Sequence, residues 1–424
     1  MTLVQALADR ALEAPAAAGA DRLRTLTLCN LAAGGGELGS MGKLIGLLPL
    51  DRDRHADAAF LYGMRLHART QDDFFPGGRA HVGAVTLAAA LALAGSSRRR
   101  LFAALSAGYE VMCAVSAPYS ARAQASGLRP TGVFGPLGAA ASAAVALDLG
   151  RDGVANAIAM AATLAGGTNA AWLAGSDEWL LEAGVAARLG VEAALFTRAG
   201  AHASPEALEG GAGWARAFFG DDGARSLAES LEETGSRLGQ VAVKPYPVSG
   251  IAQVPTHLAC EASRRLDRES ASPRARIRIS AQEASYPGSA NTGPFVSRSD
   301  ALMSVVFCVG CGLTDGRVRL ERLERPSEPP SLEAAAAVEL VADPQLEEGR
   351  AVLEVETEAG RAASEAGDAE LLYPSWASAR EGTEEIAERS EASVEFTVAV
   401  RDELAKDAPD AAELRSLLDL EPMR

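Results

Sequence analysis

The sequence predicts a mainly α protein, with a large all-helical domain interrupted by a smaller α+β domain. Three observations carry this. Up to about residue 240, apolar side chains recur at helical spacing between glycine breaks, and no segment shows the two-residue alternation of a strand. Beyond Val241 the pattern changes: "ARIRIS" (275–280), "AAVELVAD" (336–343) and "AVLEVET" (351–357) alternate apolar with polar side chains, as half-buried strands do. From about Ser375, "EGTEEIAERSEA" and "AAELRSLLDL" return to helical periodicity. The expected boundaries are 1–241 with 375–424 for the helical domain and 242–374 for the insert. Two domains also suit a chain of 424 residues, long for one core.

Taken in order, Leu3, Leu7 and Leu12 space one apolar helix face near the start. "AGGGELGS" (33–40) is glycine-rich but lacks the Lys-Ser/Thr of a phosphate loop, and reads as a turn between helices. "HVGAVTLAAALALAG" is an apolar helix expected to stop at Gly95. "RLFAALSAGYEVMCAVSAPYSA", "TGVFGPLGAAASAAVALDLG", "GRDGVANAIAMAATLAGG" and "EAGVAARLGVEAALFTRAG" follow as helices, the last ending at Gly200. Their many Ala and Gly residues let helices approach closely. In the insert, "SRSDALMSVVFCVGCGL" reads as one helix with Ser297 or Ser299 as N-cap, and "RPSEPPS" (325–331) as a break.

Composition narrows the function classes. Lys and Arg number 40 and Asp and Glu 56, a net charge of −16, which disfavours nucleic acid and anionic membranes as partners. The N-terminal segment carries Asp9, Arg10 and Glu13 and is no signal peptide, and the longest apolar runs read as too short for a bilayer. Five scattered cysteines fit a reducing cytoplasm, and Cys308-Val-Gly-Cys311 reads as buried small residues, not as half of a zinc set. No metal is expected.

Six segments in order resemble the MmgE/PrpD family, which includes 2-methylcitrate dehydratase, cis-aconitate decarboxylase and iminodisuccinate epimerase. They are "AAFLYGMRLHARTQDD" with "HVGAVTLAAALALA", "LFAALSAGYEV", "RPTGVFGPLGAAASAAVALDLG", "GVAARLGVEAALFTRAG" with "GGAGWARAFFG", "VKPYP", and "ALMSVVFCVGCGLTDG", together spanning residues 58–316. The resemblance implies that the insert is a lid over the helical domain, with the site between them, and that the protein is a homodimer. It implies cofactor-independent dehydration, decarboxylation or epimerisation of a small carboxylate. Such chemistry needs a base for a C–H proton, an acid for the leaving group and donors for the carboxylate.

Position by position the family's chemical groups are partly replaced. Its D-F-D-D element reads "TQDD", so Thr70 stands for the first acid while Asp72 and Asp73 remain. His81 in "HVG" matches the histidine of the family's H-P-S turn, and Lys244 matches the lysine of K-P-Y-P. Arg129 takes the place of a histidine before P-T-G, Trp179 of a lysine, Ser249 of a histidine and Phe307 of a tyrosine. His81 is then the expected acid/base. Lys244 and Arg129 are expected to anchor a carboxylate, the latter bidentately. Asp72 and Asp73 point in different directions as neighbours, so one is expected to orient or assist and the other to cap the loop. Thr131 and Gly132 offer a hydroxyl and a backbone N–H at a helix start. Thr70 and Ser249 line the pocket, and Trp179 and Phe307 make it less polar. His67 is read as structural or as supporting the site from behind, and His55 as exposed.

The expected function is therefore a diverged lyase or isomerase acting on an organic carboxylic acid, including a bulky intermediate of specialised metabolism. The alternatives are a dimeric scaffold that has lost catalysis, or a cyclase using the same cleft.

Overall fold

The computed structural model describes residues 1–13, 17–93, 101–233, 235–265, 274–357, 360–367 and 369–422; the expected helix stop at Gly95 lies outside them. Among the described residues the chain is mainly helical and carries one four-stranded sheet. Its first helix, Leu3–Leu12, buries Val4, Leu7, Ala8 and Ala11, so the apolar face is one step round from the Leu3-Leu7-Leu12 line, and Leu12 is exposed. Glycine lets the long helix Glu178–Arg198 sit against two others. A Cβ on Gly63 of the helix His55–His67 would stand 2.8 Å from the Ala183 carbonyl oxygen, and one on Gly190 would stand 2.3 Å from Ala139 Cβ in the helix Pro130–Ala146. "AGGGELGS" spans the end of the helix Ala17–Gly35 and the start of Ser40–Gly46, a turn as expected.

Two apolar cores result. The first gathers Leu7, Leu26, Val85, Met112, Phe134 and Val191, and the C-terminal helices return to it through Phe396, Leu404 and Leu414. The second joins Ile277, Phe307 and Leu353 to Leu61, Met64, Trp172 and Trp179 from the preceding helices. Full burial of each Leu, Ile or Phe stabilises the fold by roughly 1.5–3 kcal/mol. The segment Leu101–Ala125 is long and apolar enough to cross a membrane by length and composition, unlike the runs the sequence brought forward, and 78% of its apolar window is buried inside the protein.

The sheet runs β2 (Val338–Asp343), β1 (Arg274–Ser280), β3 (Ala351–Thr357), β4 (Gly360–Ala366). β1 is parallel to β2, with Ile277 opposite Leu340, and antiparallel to β3, with Ile277 opposite Leu353. Alternation buries Ala275, Ile277 and Ile279 of β1, while Arg276 on the other face reaches Glu339 at 2.9 Å. β4 was not foreseen: "GRAASEA" has no β-branched or aromatic residue, and pairing with β3 supplies what propensity does not. The single helix expected over "SRSDALMSVVFCVGCGL" is two. Ser297 and Asp300 form a capping box on Arg298–Met303, and Ser304, extended, caps Val305–Asp315 by accepting the Phe307 N–H at 3.2 Å. "RPSEPPS" does not break the chain throughout, since Pro329 opens the helix Pro329–Ala336.

The chain enters and leaves the sheet region side by side. The Val243 N–H donates to the Leu372 carbonyl at 2.9 Å. One guanidinium, Arg22, ties both crossings, donating to the carbonyls of Val241, Leu372 and Pro374.

Candidate active site

The stretch after the helix His55–His67 is held against the segment 242–245. Phe74 and Ala242 exchange backbone hydrogen bonds of 2.9 and 2.7 Å, and Gln71 Nε2 donates to the Pro245 carbonyl at 2.9 Å. This brings Asp72 to Lys244 across 172 residues of sequence. The turn Pro76–Gly78 follows, with Phe75 and Ala80 bridged behind it. Gly78 is required there: a Cβ would lie 2.1 Å from Ser116 Oγ. The His81 N–H then donates to Thr131 Oγ1 at 3.3 Å, which fixes the histidine at the start of the helix Pro130–Ala146.

Asp72 is the centre of the resulting cluster. Its carboxylate lies 3.0 Å from His81 Nδ1, 3.0 and 3.1 Å from His67 Nδ1, and 3.4 Å from Lys244 Nζ. Burial alone would raise this carboxyl, but Lys244, His67 and His81 together hold it well below the ordinary carboxylate range. An ionised carboxylate only accepts, so His67 carries its proton on Nδ1; His81 Nδ1 lies between Asp72 at 3.0 Å and the Lys244 ammonium at 3.3 Å, and the shorter contact assigns it a proton there as well. His67 Nε2 then accepts from Arg129 Nη2 at 3.1 Å, in agreement with that tautomer. His81 keeps a bare Nε2. Burial first, and Lys244 second, push both the imidazole of His81 and its tendency to protonate well below the ordinary value, so the ring is neutral at physiological pH. His67, fully buried, is lowered by burial as well.

His67, Asp72 and His81 hold ligand atoms within 4.8 Å of one another, a spacing that a metal ion could bridge. Lys244 Nζ stands 3.3 Å from His81 Nδ1 and 3.4 Å from Asp72, so an ammonium already supplies the cation there. The Nδ1 atoms of both histidines already face Asp72 as donors. The donor set therefore fits a lysine-closed hydrogen-bond cluster better than a metal centre.

His81, with 16% of its side chain exposed, opens onto a cleft of about 140 Å³. Thr70, Arg129, Ser249 and Trp172 share the wall, with Glu283, Glu348 and Arg350 from the sheet side. Arg129 stands at the N-cap position of the helix Pro130–Ala146, stacks its guanidinium 4.6 Å above Trp172, and lies 3.3 Å from Glu182 through Nε. Glu182 is pushed up to about 7 by burial, against the pull of Arg129. Thr70, β-branched, adopts φ +52°, a strained conformation for such a residue, with its N–H on the His67 carbonyl at 2.7 Å.

Other expected site residues fall elsewhere. Asp73 turns away from the cleft. It accepts from Asn30 Nδ2 and from the Gly83 N–H, both at 2.7 Å, and from the Tyr109 hydroxyl, so it anchors the start of the helix Gly83–Ala92. Lys244 has no exposed side chain and does not line the cleft, because it is the buried ion-pair partner of Asp72. Trp179 lies behind the wall, donating from Nε1 to Ser299 Oγ at 2.8 Å, with its ring 5.2 Å from His67 and 5.4 Å from Trp172. Phe307 is core, edge-on to Phe295. Gly132 packs on the 166–167 loop, where a Cβ would stand 2.3 Å from the Gly166 carbonyl oxygen. Ser249 lines the cleft with its N–H on the Leu302 carbonyl at 3.0 Å.

His67, five residues before Asp72, is buried and supports the site from behind, touching Asp72 and Arg129. Trp172, in "NAAWLAG", carries no periodic or motif signal. His55 is exposed as expected, with Nδ1 2.7 Å from the Ala92 carbonyl oxygen.

No curated protein gives a significant match to the chain. The MmgE/PrpD N-terminal domain matches residues 51–226, a span that contains His67, Asp72, His81, Arg129 and Trp179. That match supports membership of the MmgE/PrpD family.

Proposed function

We propose that the protein is a cofactor-independent enzyme that moves a proton at the carbon beside a carboxylate, leading to elimination or isomerisation. MmgE/PrpD proteins are generally enzymes, and the cleft supports such chemistry in this one. The observation that carries the reading is the Asp72-centred cluster, which fixes His81 with its proton on Nδ1 and Nε2 bare at the cleft wall. His81 Nε2 takes the proton from carbon. The electron pair left behind forms a double bond as a group departs from the neighbouring carbon, or is reprotonated on the other face. Arg129 holds the carboxylate and, as enolate charge develops, stabilises it. Lys244 acts through Asp72 by keeping it ionised, and Asp72 acts through His81 as an orienting partner. The intact cluster favours this reading over a scaffold that has lost catalysis.

The sheet region, residues 242–374, is proposed to be the lid, since Glu283, Glu348 and Arg350 face His81 across the cleft. The protein is proposed to be a homodimer. The exposed apolar side chains Leu181, Val185 and Phe196 on one face of the helix Glu178–Arg198 support this, and sedimentation velocity tests it. For the chemistry, 3-hydroxy and 2-enoic acids are incubated with the protein in deuterium oxide and followed by NMR. Deuterium at the carbon next to the carboxylate is expected with the wild type and not with His81→Ala. Equal incorporation by both, or none by the wild type across the panel, removes the reading.

A further inference from the structure

The charges on the cleft wall are unevenly committed. At the rim, Arg79 Nη2 lies 3.2 Å from Glu348, and Arg350 pairs with Glu365. Deeper in, Arg129 lines the cleft while giving Nη2 to His67 and turning Nε to Glu182. Lys244 is closed off beneath Asp72. Against these cations stand two acids that also line the wall, Glu283 and Glu348. Glu283 is held in place by the Gly349 N–H at 3.1 Å and by Ser280 Oγ at 2.8 Å. Most of the remaining wall is hydrocarbon or aromatic.

Resting on the reading of this cleft as the active site, we infer that the substrate carries a single carboxylate on an apolar body. Trp172, Ile251, Val254, Leu302, Met303 and Leu372 are the residues that select the body. A guanidinium already shared with His67 and Glu182, beside a neutral imidazole, has room for one carboxylate. A second or third carboxylate would lie against Glu283, or would have to be desolvated against leucine, isoleucine and methionine without a partner. Apolar contact supplies the affinity, and the single charge sets the direction in which the molecule lies.

The test compares two probes by calorimetry on the full chain near neutral pH: 5-phenylpentanoate and propane-1,2,3-tricarboxylate. The monocarboxylate is expected to bind at least about tenfold more tightly. Met303→Gln and Ile251→Gln each place an amide against the apolar body, and each is expected to weaken 5-phenylpentanoate about three- to tenfold while leaving the tricarboxylate unmoved. Ile251 is only half-buried, so its variant decides if the Met303 variant does not fold. Equal or tighter binding of the tricarboxylate overturns the inference, as does indifference of 5-phenylpentanoate to both substitutions. Preferential binding of 5-phenylpentanoate with no deuterium incorporated into any acid of the panel supports the inference and removes the proton-transfer reading alone.

Discussion

Asp72 and Asp73 are neighbours in sequence and both are fully buried, but one sits among cationic and imidazole donors and the other among neutral ones. Around Asp72 stand Lys244, His67 and His81, and the carboxyl is held well below its ordinary range. Around Asp73 stand Asn30, Tyr109 and the Gly83 N–H. Burial outweighs these hydrogen bonds and lifts the carboxyl to about 6. Burial is common to both, so it does not mark a functional carboxylate. The difference lies in whether a charge of opposite sign is placed beside the group, and here that charge arrives from the segment 242–245.

The largest expected effect is at Asp72. Asp72→Asn leaves Lys244 buried without its counter-charge and frees the tautomer of His81. Turnover should fall about a thousandfold or more, and denaturant unfolding should register a loss of about 3–5 kcal/mol. A variant that retained turnover would erase the distinction between the two aspartates.

Asp73 sharpens the comparison through pH. Its folded value, about 6, lies above the unfolded value near 3.8. Between them the folded chain binds a proton that the unfolded chain has released, so this group makes stability fall as pH rises through that window, by about 3 kcal/mol. Asp72 acts in the opposite direction: its contribution is present above the unfolded value and lost as pH falls toward the depressed folded one. Asp73→Asn should therefore remove the decline between about pH 4 and 6 in unfolding curves while leaving turnover within a few-fold.

Smaller effects are expected further from the cluster's centre. Arg129→Lys replaces a planar fork with a point charge and loses both the contact to His67 and the stacking on Trp172. KM should rise about tenfold, with a lesser change in kcat. Glu182→Gln keeps the acceptor for the Thr168 N–H and removes only the charge beside Arg129, so kcat/KM should stay within about threefold.

Much of the architecture is legible in sequence because it follows from periodicity: β1, β2, β3 and the long helices all announce themselves. β4 does not, since its small residues have no preference that pairing with β3 could be read from. The break at Ser304 is local side-chain capping inside an otherwise continuous apolar run. The site was partly legible through the resemblance to the family's motifs. "TQDD", "HVG" and "KPYP" supply His81, Asp72 and Lys244, which the fold brings together. What one dimension does not carry is direction. It does not reveal that Asp73 faces Tyr109, that Lys244 is sealed beneath Asp72, or that Trp172 rather than Trp179 forms the wall.

The central claim is the protonation state of one ring. Long-range proton–nitrogen NMR spectra of protein labelled with nitrogen-15 in histidine, recorded from about pH 5 to 8, report it directly. The account predicts that His81 stays neutral throughout, with its proton on Nδ1 and a bare Nε2, and that Asp72→Asn destroys this uniformity. A His81 signal that titrates near the ordinary imidazole value of about 6.5, or a neutral ring protonated on Nε2, would contradict it.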